Sequence, residues 1–476
     1  MINHIPRIAC ILFLASIHLF CFAAMGYADP LSQAELDFVH LVNQVRTDPM
    51  PVVEEMGWPT EELVDSGLLL GGMQPLELND RLTQAAREKA REILTLNYYS
   101  HVSPDGVTPI ERIADKGYQV FDSEQSMAVL SFRNFLSSRE AIRSILGNLL
   151  TDEAGSHANR KLFNPVFRDI GLSMESGDVK LEGKQYSVYL LVVNVAVSNE
   201  YAVESALLQL INNLRQNPDL PLSADGNGKS ADTDATLEPA KKKPLARHEL
   251  LDQVAASGLS GPIQGSGGVL SVHEQAGIRS LIASYNPQAM THTHIKIRME
   301  KESSIWQKAE AFLSTLLRQE AESAEGLQHV LRSDLSEVGM QVSLDTDDEA
   351  DHAELTLVAA DPHDSRSHVL GGVYAWRYID DAMQDIEGLG IAGMCVELAD
   401  LDVGEVTARS WSDVLGRYQL PVKEKAYRLN LRNIRGMHLS TRHHKALNKN
   451  RMAQFWTPLE NPEIENMYFT DQAFIW

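Results

Sequence analysis

The sequence predicts an α/β fold: an α-β-α sandwich, present twice, followed by an all-β sandwich module. Three observations carry this. One pattern of apolar and polar residues recurs about 169 positions further on. The first copy ends in a strand that is apolar on both faces. After Pro362 the helical spacing gives way to short β-rich pieces punctuated by Gly, Asp and Pro.

The repeat is the strongest organisational signal. Leu41-Val42-Asn43-Gln44-Val45-Arg46-Thr47-Asp48-Pro49 matches Leu210-Ile211-Asn212-Asn213-Leu214-Arg215-Gln216-Asn217-Pro218. Pro75-Leu76 followed by Leu82, Gln84 and Ala86 recurs as Pro244-Leu245 followed by Leu251, Gln253 and Ala255. The stretch from Ile145 to Leu150 matches Phe312 to Leu317, and Phe167 to Leu172 matches Leu335 to Met340. A spacing this long marks a duplicated domain, not a solenoid. The copies are expected at residues 31–199 and 200–361, each with its own apolar framework, so that removing residues 362–476 leaves both folded.

Within copy one, Ser32-Gln33-Ala34-Glu35 is a capping-box pattern. It opens a helix whose apolar stripe is Phe38, Leu41, Val42 and Val45, and Pro49 ends it. Asn79 caps a second helix with Leu82, Ala86, Ala90 and Ile93 on one side. Residues 138–150 form a third through Ile142, Ile145, Leu146 and Leu149. Tyr186 to Val197 reads as a strand that needs cover on both faces. Residues 219–243 read as a polar loop inside copy two. Beyond Pro362, strands are expected at Val369–Trp376, Met394–Leu398, Glu405–Arg409, Arg417–Leu420 and Ala426–Leu431.

Composition bounds the function. The chain has 476 residues, 44% hydrophobic and 22% charged, which fits folded domains and excludes a disordered or collagenous chain. Its net charge of −23 argues against nucleic-acid binding, because a phosphate backbone demands a positive face. Arg7, the apolar stretch from Ile8 to Met25, and Gly26-Tyr27-Ala28 read as a secretory signal over residues 1–28, cut before Asp29. With no other run of 18 apolar residues, no transmembrane span is expected after its removal. Cys10 and Cys21 lie in the signal, so Cys395 alone remains and no intramolecular disulfide is possible. The expected location is the periplasm or the extracellular space of a bacterium.

Two segments of copy one carry a family resemblance. The first is Tyr98-Tyr99-Ser100-His101-Val102-Ser103-Pro104-Asp105-Gly106. The second runs Ser156-His157-Ala158-Asn159-Arg160-Lys161-Leu162-Phe163-Asn164-Pro165-Val166-Phe167-Arg168-Asp169-Ile170-Gly171. Together they resemble the CAP superfamily, or SCP domain, of cysteine-rich secretory, antigen 5 and pathogenesis-related proteins, in its bacterial form. Copy two resembles it only through the repeat, as a degenerate second domain. The resemblance implies an α-β-α sandwich with an open cleft lined by two histidines and acidic residues. His101 and His157 match the histidines. Glu124, in Ser123-Glu124-Gln125-Ser126, takes the place of the glutamate in the family's Gly-Glu-Asn segment. Glu140 and Glu153 are candidates for a further acid.

Two imidazoles and a carboxylate on separate loops are a donor set that zinc accepts. No nucleophile is evident, and no catalytic residue is assigned. The leading expectation is an exported ligand-binding protein whose ligand is a lipid, a glycan or a protein. The rival is a metal-dependent hydrolase or peptidase acting in the same cleft, with His101, Glu124 and His157 around the metal. Copy two keeps neither histidine in register and is expected to be inactive.

The C-terminal module, residues 366–476, resembles over about residues 370–432 a carboxypeptidase-regulatory-like or transthyretin-like β-sandwich. The resemblance rests on Leu370-Gly371-Gly372-Val373-Tyr374, on residues 390–398, and on Ser412-Asp413-Val414-Leu415-Gly416-Arg417-Tyr418-Gln419-Leu420. It implies a spacer or adhesive unit. From Arg428 to Arg451 there are seven cations and no acid. This basic segment is a candidate contact for an anionic cell-surface glycan or lipid. His292 and His294 would share a strand face, and Asp380, Asp381 and Asp385 lack calcium-loop spacing.

Overall fold

The computed structural model describes residues 30–58, 60, 63, 66–132, 136–155, 160–181, 184–217, 242–257, 276–300, 303–322, 331–346, 350–363, 367–378, 386–423, 425–444, 449–458 and 474–475. The candidate His157, residues 1–28, most of the polar loop 219–243, and the three aspartates at 380, 381 and 385 lie outside these.

Copy one opens with α1 (Gln33–Thr47), whose capping box forms as expected between Ser32 and Glu35. Helix α2 (Pro49–Met56), β1 (Glu77–Leu78), α3 (Asp80–Leu96) and α4 (Pro109–Asp115) follow. Then come β2 (Val120–Phe132), α5 (Ser138–Gly155), β3 (Asp169–Leu181) and β4 (Lys184–Ser198). The sheet order is β1-β3-β4-β2, with β1 parallel to β3 and the rest antiparallel. Strand β4 is covered on both faces, as its sequence requires. Leu191, Val193, Val195 and Val197 join the core with Phe38 and Val42 of α1 and Ile145 of α5. Leu190 and Val192 pack on the opposite side against Ala86, Ala90 and Ile93 of α3.

Copy two repeats the plan with α6 (Asn199–Gln216), β5 (Ala246–Arg247), α7 (Glu249–Ala256), α8 (Ala276–Tyr285), β6 (Pro287–Met299), α9 (Ile305–Glu322), β7 (Glu337–Thr346) and β8 (Asp351–Pro362). Its sheet order, β5-β7-β8-β6, is the same.

The duplication extends to individual hydrogen bonds. Arg46 is fully buried and donates to the carbonyls of Gln74 (2.9 Å), Leu162 (2.7 Å), Asn164 (2.9 Å) and Phe167 (3.2 Å). Its counterpart Arg215 donates to those of Lys243 (2.8 Å), Arg332 (3.0 Å) and Leu335 (3.0 Å). Asn43 exchanges two bonds with the backbone of Leu76, and Asn212 does the same with Leu245. The Glu35 carboxylate accepts from Met174 N, and Glu204 from Val342 N. Tyr118 donates to Asp169 (2.6 Å), and Tyr285 to Glu337 (2.8 Å). A Cβ on Gly171 would overlap the backbone of Leu82 and Thr83, and one on Gly339 that of Leu251 and Asp252. Only glycine lets each sheet meet its covering helix there.

The remaining chain is all β: β9 (Ser367–Tyr378), β10 (Ile386–Gly390), β11 (Cys395–Asp400), β12 (Val406–Trp411), β13 (Arg417–Val422), β14 (Tyr427–Arg432), β15 (His438–His444), β16 (Arg451–Met452), β17 (Phe455–Pro458) and β18 (Phe474–Ile475). The five expected strands are present as β9 and β11–β14. One sheet runs β13-β9-β10-β18 and the other β12-β11-β14-β15, with β16 and β17 added beside β9. Val373, Val396, Leu420, Leu429 and Phe455 fill the space between them.

The module is in extensive contact with both copies. Trp411 Nε1 donates to Gly71 O (2.8 Å), and Arg409 to Leu70 O (2.9 Å), both in copy one. In copy two, Gln419 exchanges two bonds with the backbone of Arg247, and Asn450 donates to Pro244 O and Ser336 O. Val414 and Leu415 are continuous with the core of the two copies. Removing residues 362–476 would expose this apolar surface and strand those buried polar groups.

Replacing Arg46 or Arg215 with Met leaves several buried carbonyls without a donor. Each substitution is expected to lower stability by about 3 kcal/mol or more in urea unfolding. Arg91→Met, at a position with a side chain 63% exposed, should change it by less than about 0.5 kcal/mol.

Candidate functional site

His101 lies in the loop between α3 and α4 with an exposed side chain. A buried polar network fixes the loop on either side of it. Ser103 donates to Glu92 (3.1 Å) and accepts from Arg112 (2.7 Å) and Lys89 (3.2 Å). Lys89 also donates to Tyr98 Oη (2.7 Å), which donates to Glu92 (2.6 Å). Burial pushes the Lys89 ammonium below its usual range, against the pull of Glu92. The Ser103 hydroxyl is therefore engaged on all sides and offers no nucleophile.

A second chain of bonds orients the ring itself. His101 Nδ1 lies 3.0 Å from Gln125 Oε1. Gln125 Nε2 donates to Asn194 Oδ1 (2.9 Å), and Asn194 Nδ2 donates to the carbonyl of Leu82 (3.1 Å). A carbonyl can only accept, so Asn194 must present its amino group to Leu82. The order then propagates: Gln125 presents its oxygen to His101, and Nδ1 carries the proton. In the neutral ring the Nε2 lone pair is left outside the relay, free to accept a hydrogen bond, take a proton or ligate a metal.

Glu124, next to Gln125 on β2, is exposed and pairs with Val195, not with Asn194. Strand alternation puts it on the opposite face from Gln125. The residue that meets His101 is thus the amide Gln125. The sequence reading missed Gln125 and Asn194; Asn194 had a signal, as the one polar residue in the run from Leu190 to Val197, and Gln125, among polar neighbours on β2, had none. His157 lies outside the described residues, but Lys161, four positions on, donates to Gln125 O (2.7 Å). Among the described residues, no three His, Cys, Asp or Glu side chains converge to hold a metal ion.

The two further acids have structural roles. Glu140 closes a capping box with Ser137. Glu153, fully buried at the end of α5, accepts from Leu162 N (2.9 Å) and Phe163 N (3.0 Å). Burial pushes its carboxyl up to about 7, opposed by those amides and by Arg160. It ties the end of α5 to the segment that follows His157.

Copy two keeps the strand register but not the relay. Gly171 pairs with Asn194, which pairs with Gln125; Gly339 pairs with Val358, which pairs with His292. Val358 and His292 therefore occupy the two amide positions. Helix α7 ends at Ala256 after eight residues, where α3 runs for 17. The sheet face beyond it holds Thr356 and Glu354 where copy one has Val192 and Leu190. His294 is on that face, 3.2 Å from Thr356 Oγ1.

Nitrogen-15 NMR of His101 should show protonated Nδ1 and unprotonated Nε2 in the neutral ring. Gln125→Met should remove that preference, since the acceptor that holds Nδ1–H among the described residues is lost. A separate prediction concerns pH. The folded Glu153 carboxyl has a raised pKa, so between about 4.5 and about 7 the folded state holds a proton that the unfolded state has released. Its contribution to stability is present below about 4.5 and is lost as pH rises through about 7. Glu153→Gln should remove that part of the slope, amounting to about 3 kcal/mol across the window, in unfolding curves taken from pH 4 to 8.

Residues 39–194 match the family model described as CAP, the cysteine-rich secretory protein family. An outer surface protein of Borrelia burgdorferi is 16% identical, the match covering 37% of this chain and 99% of that one, with a TM-score of 0.22. An extracellular SCP-domain protein of Bacillus anthracis is 17% identical, over 36% of this chain and 45% of that one, with a TM-score of 0.21. Na-ASP-1 is 10% identical, over 70% of this chain and 91% of that one, with a TM-score of 0.23. No curated protein matches the chain.

Proposed function

We propose, from the CAP domain that residues 39–194 form, that this is an exported binding protein whose first copy recognises an amphipathic, lipid-like ligand at His101. The observation that carries this reading is the amide relay. A carboxylate behind an imidazole raises its basicity and stabilises the imidazolium, as in many hydrolytic sites. Gln125 supplies orientation without that charge. The ring becomes a fixed recognition group. The end of α3 and the loop expose apolar side chains: Leu96 is 57%, Tyr99 51% and Val102 44% exposed. A polar anchor with an apolar rim fits a ligand that has a polar head and an apolar body.

Residues 1–28 serve as the secretory signal in this reading, which places the mature protein in the periplasm or outside the cell. Among the described residues no helix is long and apolar enough to cross a membrane. Copy two, with Val358 and His292 in the relay positions, acts as a packing partner without a site of this kind.

The hydrolase reading is distinguished by metal. His101 can offer Nε2 to zinc, and a complete site requires His157 and a carboxylate as well. Calorimetric titration of the mature protein with a lysophospholipid should give saturable binding, weakened at least about tenfold, or about 1.4 kcal/mol, by His101→Ala. Stoichiometric zinc binding that His101→Ala abolishes, with no lysophospholipid binding, would replace this reading with the metal-dependent one.

A further inference from the structure

The end of the β module where β9 and β14 begin has a chemistry that the copy-one site does not use. An open pocket of about 320 Å3 lies there, with Leu398, Ala408 and Val422 as apolar lining, Ser367 and Thr407 as hydroxyls, and Tyr427 behind. Its size falls in the range of small-molecule sites. Asp400 is the one carboxylate among the described lining residues, and Lys425 pairs with it at 3.3 Å. Lys423 stands exposed on the rim.

Tyr427 connects this pocket to the basic segment. It is 2% exposed, and its ring stacks on His444 of β15 with centroids 5.2 Å apart. Among the described residues, neither Tyr427 Oη nor His444 Nε2 has a hydrogen-bond partner, and both atoms are buried. Arg442, on the same face as His444, lies over the Phe455 ring at 5.3 Å. Arg451 on β16 pairs with Val369, adjacent to His368 of the pocket lining. Burial first, then the nearby charges of Arg451, Arg442 and His443, hold the His444 imidazole below its usual range. Burial pushes the Tyr427 phenol up to about 12, so it remains a donor at neutral pH.

Not every cation of the segment is available. Arg432 is paired with buried Glu397 at 2.6 Å, and Arg409 holds the same carboxylate at 2.9 Å. Cations on β15 also guard an edge strand against pairing with another sheet. Edge protection accounts for exposed arginines. It gives no reason for a buried phenol and imidazole, stacked together and both lacking a hydrogen-bond partner among the described residues, because such groups cost stability when left unsatisfied.

We propose that this end of the module binds a small phosphate-bearing molecule of sugar-phosphate size. The phosphate oxygens accept from Arg442, Arg451, His444 and Tyr427, and the remainder of the ligand occupies the adjoining pocket. Guanidinium groups suit a tetrahedral oxyanion, and the orphaned donors supply what the charges alone lack.

Calorimetry on the full mature protein, with glucose 6-phosphate as the probe, tests this. One molecule should bind per chain, at least about tenfold more tightly than inorganic phosphate, because the pocket adds contacts the bare anion cannot make. Arg442→Gln with Arg451→Gln should weaken binding at least about tenfold, the scale of charge-assisted hydrogen bonds. Tyr427→Phe should weaken it about threefold or more without lowering Tm, since the lost hydroxyl has no hydrogen-bond partner among the described residues. Arg435→Gln, an exposed cation away from this end, should leave it unchanged. The proposal is overturned if glucose 6-phosphate does not bind saturably or binds no better than inorganic phosphate. It also fails if the double variant binds as the wild type does, or if Arg435→Gln costs as much. Binding to phosphatidylglycerol vesicles without any to glucose 6-phosphate would assign the surface to a membrane and reject the small-molecule site.

Discussion

The architecture depends on a buried guanidinium used twice. Arg46 and Arg215 each reach from the first helix of a copy into the loop ahead of the third strand. There they gather carbonyls that lie far apart in sequence. A loop cannot be buried while its carbonyls lack donors. One arginine supplies up to five N–H groups in a rigid fork, and no other side chain can serve so many. Desolvation is severe: burial pushes Arg46 down to about 9, with Glu153 opposing it. The charge is tolerated because the carbonyls surround it. With the loop in place, β1 and β5 can join their sheets, and the sheets can bury β4 and β8.

The copies then diverge according to what covers them. Helix α1 keeps an exposed side, where Leu36 is 39% exposed. Helix α6 is buried nearly all round, through Ala202, Val203, Ser205, Leu207, Leu208 and Ile211. It belongs to copy two, yet Ala202 and Leu207 share a core with copy one and with Val414 and Leu415 of the β module. The module is therefore a brace across two related halves. Most of its polar contacts run to backbone groups, which tolerate changes of side chain in the loops they hold: Trp411 to Gly71, Arg409 to Leu70, Gln419 to Arg247, and Asn450 to Pro244 and Ser336.

The same economy shapes the candidate site. The Leu82 carbonyl, through two amides, determines which His101 nitrogen carries the proton. In copy two the amides become Val358 and His292, and helix α7 is too short to cover the sheet beyond. Thr356 and Glu354 stand where copy one has the apolar Val192 and Leu190.

The sequence by itself determined the duplication, the α-β-α layering, five of the C-terminal strands and the candidate His101. These depend on periodicity, on capping residues and on local motifs, all of which act over a few residues or repeat at a constant spacing. Tertiary structure decided the rest. Gln125, not Glu124, meets His101, because neighbouring residues of a strand face opposite ways and only the pairing of β2 with β4 says which way is inward. The charged run from Arg428 to Arg451 divides into an ion pair at Arg432 and a cluster at Arg442, His444 and Arg451. Charge counting cannot make that division, since the carboxylate that claims Arg432 comes from β11. The brace itself was invisible for the same reason: a side chain that donates to a distant carbonyl leaves no trace in the sequence of its partner.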